Sequence, residues 1–273
     1  MKGESAWCIE KRILFSVLIF IISMPLLWGA VFPLSSYMEA NWYGAFKYSL
    51  STLTAILLMY LTWGKSTFSL KCPEYFRNLF TFGLLGVIGA AGAFIFSSDG
   101  IDLTPSITII AGCIFCNLAI AICEEVIFRG IILNSMIAAW KKRDDVVRLA
   151  VIGSSIIFGL RHLINLVSMP DTVFMTLAQV VFTFMAGTYL CAVYLRTKNI
   201  WVCITIHFLE DFATSVWTIF SSSAAASASV DGSLLAAAGM IALQIPYVVF
   251  AVLMLKDKKW NKAIITEKGS KGI

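Results

Sequence analysis

Charged residues are scarce in this 273-residue sequence, at 14% against 59% hydrophobic, and the mean hydropathy is +0.85. A soluble domain carries about a quarter charged residues, so a water-soluble fold is excluded and a chain built for lipid is expected. Histidine is scarcer still, with only two, His162 and His207. No HExxH is present, which removes the metalloprotease signature that is easiest to read from sequence. A disulfide framework is also missing. The seven cysteines are odd in number and lie mostly inside apolar runs, and the CxxC of Cys113 and Cys116 reads as small apolar filler. There is no internal repeat, and no clear pair of Gly/Pro-broken helices, of the kind that marks an inverted-repeat transporter. The apolar run after Lys11 and Arg12 lacks a small-x-small cleavage site and is long enough to span. An uncleaved first helix is expected there rather than a signal peptide.

Long hydrophobic runs fill the chain instead, and a span needs about 20 apolar residues. The candidates are Ile13 to Phe32, Tyr43 to Trp63, Phe76 to Phe96, and Pro105 to about Ala139, followed by Val146 to Val167, Thr172 to Leu195, Ile200 to Phe220, and Leu234 to Leu255. The fourth is too long for one perpendicular crossing; it must tilt, break, or project its end, where Asn134 lies, into the cytosol. The fold class read here is all-α: a polytopic membrane helix bundle of about eight transmembrane helices, forming a single integral-membrane domain over residues 1–273.

The basic residues give a separate test of that count. Lys2, Lys11 and Arg12 precede the first span, and Lys65, Lys71 and Arg77 separate the second from the third. Lys141, Lys142, Arg143 and Arg148 follow the fourth, Arg196 and Lys198 follow the sixth, and lysines crowd the tail. The alternate connections carry Glu39, Asp99, Asp102, Asp171 and Asp231. The positive-inside rule then puts both termini in the cytoplasm of a multi-pass protein of the cell membrane. The net charge of +5 serves orientation and lipid headgroups, so no nucleic-acid partner is expected. Ser221 to Ser229 reads as a flexible external loop, and residues 256–273 as a polar basic tail near the inner leaflet.

Against this apolar background, the stretch from Ile122 to Gly130 puts Glu124, Glu125 and Arg129 inside a span. A charged side chain near the bilayer centre costs at least about 2.5–3.5 kcal/mol, so such a trio needs a reason to persist. The other ionisable groups well inside the spans are Arg161, His162, His207, Glu210 and Asp211, while Lys47 lies near a span edge and can snorkel. Glu125 and Arg129 are four residues apart on a helix, share a face, and read as a charge-neutralising clasp. Glu124 is turned about 100° away, which leaves it without that partner and free to act as a general base. Phe158 sits four residues before His162 and can wall its imidazole, although a lone histidine on an apolar helix is more often a hydrogen-bonded core residue. Arg161 is expected to reach a helix carbonyl or one of the acids. His207 and Asp211 repeat the same-face spacing and suit either a metal ligand pair or donors to an oxyanion. A proton relay in a proton-coupled transporter is an alternative use of the same residues.

Together these elements resemble the CPBP intramembrane protease family, which includes CAAX proteases and bacteriocin-processing or immunity proteins and is also called the Abi family. Its motifs EExxxR, FxxxH and HxxxN/D follow in that order, each on its own membrane helix. Here they stand as Glu124-Glu125-Val126-Ile127-Phe128-Arg129, Phe158-Gly159-Leu160-Arg161-His162 and His207-Phe208-Leu209-Glu210-Asp211. The resemblance runs from about Ile107 to Phe220, within a protease-like core of about residues 105–220. It implies an intramembrane endopeptidase in which Glu124 and His162 activate water while His207 and Asp211 stabilise the oxyanion. Glu125 and Arg129 would hold the site in shape, with Phe158 packed beside it. Some members carry Asn at the last motif position. An ionised Asp211 would repel an oxyanion, so it must be protonated, orient His207, or bind a metal. No cofactor is expected; zinc held by Glu124, His162, His207 and Asp211 is the alternative. The implied substrate is a membrane-associated peptide or lipidated protein, prenylated or bacteriocin-type. Homo-oligomerisation and a non-catalytic bacteriocin-immunity role are compatible with the same bundle.

Overall fold

The computed structural model describes residues 11, 14, 17, 26–63, 70–96, 103–168, 170–220 and 234–256. Most of the expected first span, the Ser221 to Ser229 loop and the tail beyond Lys256 lie outside these. Among the described residues there are helices and no strands. The main helices are α1 (Ala40–Trp63), α2 (Tyr75–Thr81), α3 (Leu84–Phe96), α4 (Ile107–Glu125), α5 (Asn134–Ala139), α6 (Val146–Arg161), α7 (Val173–Thr197), α8 (Ile200–Ser215), α9 (Leu234–Leu243) and α10 (Ile245–Leu255). Among the described residues six stretches are long and apolar enough to cross a membrane, or seven if a bent pair counts as one span. The chain is thus an all-α, multi-pass membrane protein; of the eight spans expected, the first falls largely outside the described residues.

One span expected to be continuous is broken. The third divides into α2 and α3, which bend by 69°. Phe82 and Gly83 both donate their backbone N–H to the Asn78 carbonyl, which closes α2 before α3 starts from the Gly83 carbonyl. A broken helix pair therefore does exist here, although the sequence showed no clear one. The last span keeps one course from Ala237 to Leu255, with a turn at Gln244 and Pro246 in the first turn of α10, where a missing N–H costs nothing.

The long fourth span is not broken; 33 residues from Ile107 to Ala139 run as one. Ser106 caps its start by accepting from the Ile109 N–H. Its middle, Val126–Leu133, widens into a π-helix that joins α4 to α5. Wide turns disturb the usual carbonyl pairing, and side chains meet some of these oxygens. Asn134 Nδ2 donates to the Arg129 carbonyl at 3.2 Å and the Gly130 carbonyl at 2.8 Å, and Ser154 Oγ donates to the Phe128 carbonyl at 3.0 Å. Asn134 is 1% exposed and also bonds Tyr194 Oη, so it does not project from the bundle end. Its amide is committed to the helix that carries the acidic pair.

α1 packs along α4, α6 along α7, α7 along α10, and α8 lies between α3 and α4. The tightest core is where the π segment, the start of α6, the end of α7 and the start of α8 meet, with Leu133, Val146, Leu195, Ile200 and Ile206 buried. α7 turns into α8 through Lys198, in the left-handed conformation, and Asn199, whose side chain caps α8 by accepting from the Trp201 N–H. This short connection holds α8 beside the acidic end of α4. Leu53, Leu57, Leu61, Leu243 and Val252 are exposed on the outer faces, as expected where lipid is the solvent.

Candidate functional site

The three motifs come from separate helices and meet at the junction of α4 with its π extension. Glu124 and Glu125 end α4, and Arg129 lies in the π segment. Phe158 sits in α6 with His162 just past its end, and His207 and Asp211 lie in α8.

Glu125 and Arg129 pair at 2.8 Å with both side chains sealed from solvent. The guanidinium also donates to the Gly187 carbonyl at 3.4 Å and lies 4.5 Å from the centre of the Phe158 ring. The Glu125 oxygen that meets Arg129 also accepts from His207 Nδ1 at 2.7 Å. The clasp therefore does more than neutralise charge, since it also holds the imidazole of α8 in a fixed orientation. A residue 82 positions away leaves no spacing signature, so the sequence does not disclose it.

Glu124 does not share Arg129, as its helical phase predicts, but it is not partnerless. Arg161 reaches across from the end of α6 and donates to one of its oxygens. Of the two uses expected for Arg161, the acid is the one found. The other Glu124 oxygen lies 3.8 Å from His207 Nε2, too far for a direct hydrogen bond. Asp211 stands 3.4 Å from the same nitrogen at the edge of the site, its side chain 36% exposed.

His162 approaches the Phe158 carbonyl with Nδ1 at 3.0 Å, and the Thr183 hydroxyl is 3.4 Å from that nitrogen. A carbonyl can only accept, so this contact puts the proton on Nδ1, and Nε2 of the neutral ring keeps its lone pair. His162 lies within electrostatic range of Glu124 and His207. Phe158 is the hub, with ring centres 5.4 Å from His162, 6.0 Å from His207 and 4.9 Å from Phe128. Two glycines allow this approach. A Cβ on Gly187 would stand 3.0 Å from Phe158, and one on Gly159 would stand 2.6 Å from the Val180 carbonyl.

Six of the seven candidate residues are thus drawn together, with Asp211 at the margin. Glu210, the other acid of that helix, is half-buried, turns away and accepts from Tyr247 Oη at 2.6 Å. Among the described residues, no three His, Cys, Asp or Glu side chains are placed to hold a metal ion. Thr183, Gly187 and Arg161 complete the site without belonging to the fixed positions of any motif.

A cavity of about 480 Å³ opens beside Glu124. Its walls are largely apolar, with Trp28 and Tyr48 on one side and Ile127, Ile157 and Leu160 among the others, and Glu124 and Arg161 supply charge.

Residues 105–213 match the family model described as Type II CAAX prenyl endopeptidase Rce1-like. The match contains all three motifs, and the family resemblance drawn from them is borne out over that stretch. No curated protein and no solved structure matches the chain.

Proposed function

Since residues 105–213 match the Rce1-like CAAX endopeptidase family model, we propose that the chain is an intramembrane endopeptidase and that Glu124 is the base of a glutamate-type peptide hydrolysis. One observation carries this reading. Arg161 holds one oxygen of a buried carboxylate, while the other faces His207 Nε2 across a gap that neither group closes directly. Both are then available to a shared water.

In this scheme Glu124, assisted by the free Nε2 of His162, takes a proton from that water. The water oxygen bonds to the scissile carbonyl carbon, and negative charge develops on the carbonyl oxygen. His207 Nε2–H donates to that oxygen. With Nδ1–H given to Glu125, the ring must carry both protons to do so, and Asp211 beside Nε2 balances the added charge. Collapse breaks the C–N bond, and the proton held by Glu124 passes to the departing amine. Asp211 thereby acts on His207 and does not touch the oxyanion.

The apolar cavity beside Glu124 supports a substrate with a hydrophobic portion, such as a lipidated or prenylated peptide end. The alternating basic connections support a location in the cell membrane with cytoplasmic termini. Zinc chemistry is the competing proposal, and it would require Glu124 to exchange Arg161 for the metal. One assay tests both: cleavage of lipidated peptides by the purified protein and Glu124→Gln, each with and without a strong zinc chelator. The expected result is a fall of about 10²–10⁴-fold in kcat for Glu124→Gln and no effect of the chelator. Wild-type cleavage by Glu124→Gln would sink the glutamate mechanism, and loss of wild-type activity on chelation would favour zinc.

A further inference from the structure

Tyr48 comes from α1, which lies outside the stretch that matches the family model. Ser51, Thr52, Ala55 and Met59 of that helix are buried, and Tyr48 continues the same stripe one turn earlier. The helix packs along α4, and the approach is close: a Cβ on Gly44 would stand 2.5 Å from Cys116 Sγ. Tyr48 is thereby set into the wall of the cavity, together with Cys123, Glu124 and Arg161. Its ring meets Trp28 edge-on with centres 5.5 Å apart, and Trp28 is pinned in turn by donating Nε1–H to the Ser51 hydroxyl at 3.0 Å. The phenol is therefore held in place.

Its hydroxyl is not used by the fold. Among the described residues it has no hydrogen-bond partner, and it is not sealed in the core. It opens instead onto the cavity, within electrostatic range of Arg161 and Glu124. A tyrosine hydroxyl that leaves water normally finds a partner. Trp28 Nε1, another neutral donor of this wall, is committed to Ser51. A peptide entering this space brings main-chain carbonyls that lose their water and need a donor. His207 and Asp211 do not line the cavity, so a carbonyl held here lies on the Arg161 side of Glu124, away from the oxyanion position assigned to His207. We propose that Tyr48 Oη–H donates to a main-chain carbonyl of the bound peptide, one that flanks the scissile amide, and so sets the register of the peptide against Glu124. This rests on the endopeptidase reading and adds a substrate-positioning residue to it, from a helix that carries none of the three motifs. Tyr48 takes no part in bond breaking.

Binding tests this without relying on catalysis. The probe is a dansyl-labelled hexapeptide of leucine and valine, with a set of analogues in which one backbone amide at a time is replaced by an ester, whose carbonyl is the poorer acceptor. Each is titrated into the full-length protein in lipid nanodiscs, using Glu124→Gln to prevent turnover, alone and combined with Tyr48→Phe. Tyr48→Phe keeps the ring and its contact with Trp28, so the melting temperature should hold. It is expected to weaken the all-amide peptide about 3–10-fold, the scale of one hydrogen bond. At one position the ester should cost about 2–5-fold more with Tyr48 intact than in Tyr48→Phe. The lost amide N–H affects both proteins alike, so only the carbonyl bonded to Tyr48 appears in that difference. Equal binding by Tyr48→Phe, or ester penalties that match in both proteins at every position, would overturn the proposal. A general loosening of the cavity gives that second result, because it weakens every analogue to the same degree. A Tyr48-dependent ester penalty in a protein whose wild type cleaves no peptide would retain the subsite and overturn the endopeptidase reading instead. Cleavage by the wild type with no such penalty would do the reverse.

Discussion

Glu124 and Glu125 are neighbours in the chain, and each meets an arginine, but the two pairs occupy different surroundings. Glu125 and Arg129 are sealed completely, whereas Glu124 and Arg161 border a cavity. The closed pair holds parts in place: it ties the π segment to α7 through Gly187 and to α8 through His207. The open pair leaves one carboxylate oxygen uncommitted beside space that a substrate can enter. A dyad that looks redundant in sequence is thus divided between a sealed pair and a cavity-facing pair by the helix that faces each member.

The comparison breaks most sharply if Arg129 is removed. Arg129→Met leaves Glu125 as a buried, uncompensated charge, and a loss of about 3–5 kcal/mol in stability is expected. The sealed pair is also imperfect, because Glu125 Oε2 and Arg129 Nε find no hydrogen-bond partner among the described residues. Adding Glu125→Gln removes the stranded charge while keeping an oxygen for His207 Nδ1. The double variant should recover most of the lost stability, as read by thermal unfolding in detergent. If it unfolds as early as Arg129→Met alone, the pair is not acting as a neutralising clasp.

The open pair should respond in activity more than in stability. Arg161→Gln removes the donor that orients Glu124 but keeps a polar group at the cavity wall. A fall of about 10-fold in kcat is expected, on the scale of one charge-assisted hydrogen bond. The melting temperature should move little, because Arg161 borders the cavity and is partly exposed. Arg161→Lys restores the charge and should recover part of the rate. A purely packing role would instead lower the melting temperature with both substitutions and leave kcat unchanged.

What the sequence discloses follows from the range of each interaction. The Glu125–Arg129 pair and the Phe158–His162 contact span four residues and are legible because helical phase dictates them. Span positions are legible because lipid demands long apolar runs. Contacts from Arg161 to Glu124 and from His207 to Glu125 cross 37 and 82 positions. They depend on how whole helices pack, and no local spacing encodes that. Neither the bend at Gly83 nor the π segment has a residue pattern that separates it from ordinary apolar helix. Asn134 shows the difficulty: an amide near the end of a long span suggests a solvated end, and here it is buried.

That residue provides the finest test of the closed side. Asn134 Nδ2 serves the Arg129 and Gly130 carbonyls and reaches Tyr194 Oη at 2.9 Å. Asn134→Leu fills the volume but removes the donors, and a loss of about 1–3 kcal/mol is expected from the stranded groups. Part of that cost belongs to the Tyr194 hydroxyl, so Tyr194→Phe should be less harmful beside Asn134→Leu than alone. A double-mutant cycle on unfolding free energy measures this coupling, expected to be at least about 0.5 kcal/mol. If the two changes add without coupling, Asn134 acts only within its own helix. The π segment would then be tied to α7 through Arg129 and Gly187, and the sealed side would rest on Arg129 and His207 alone.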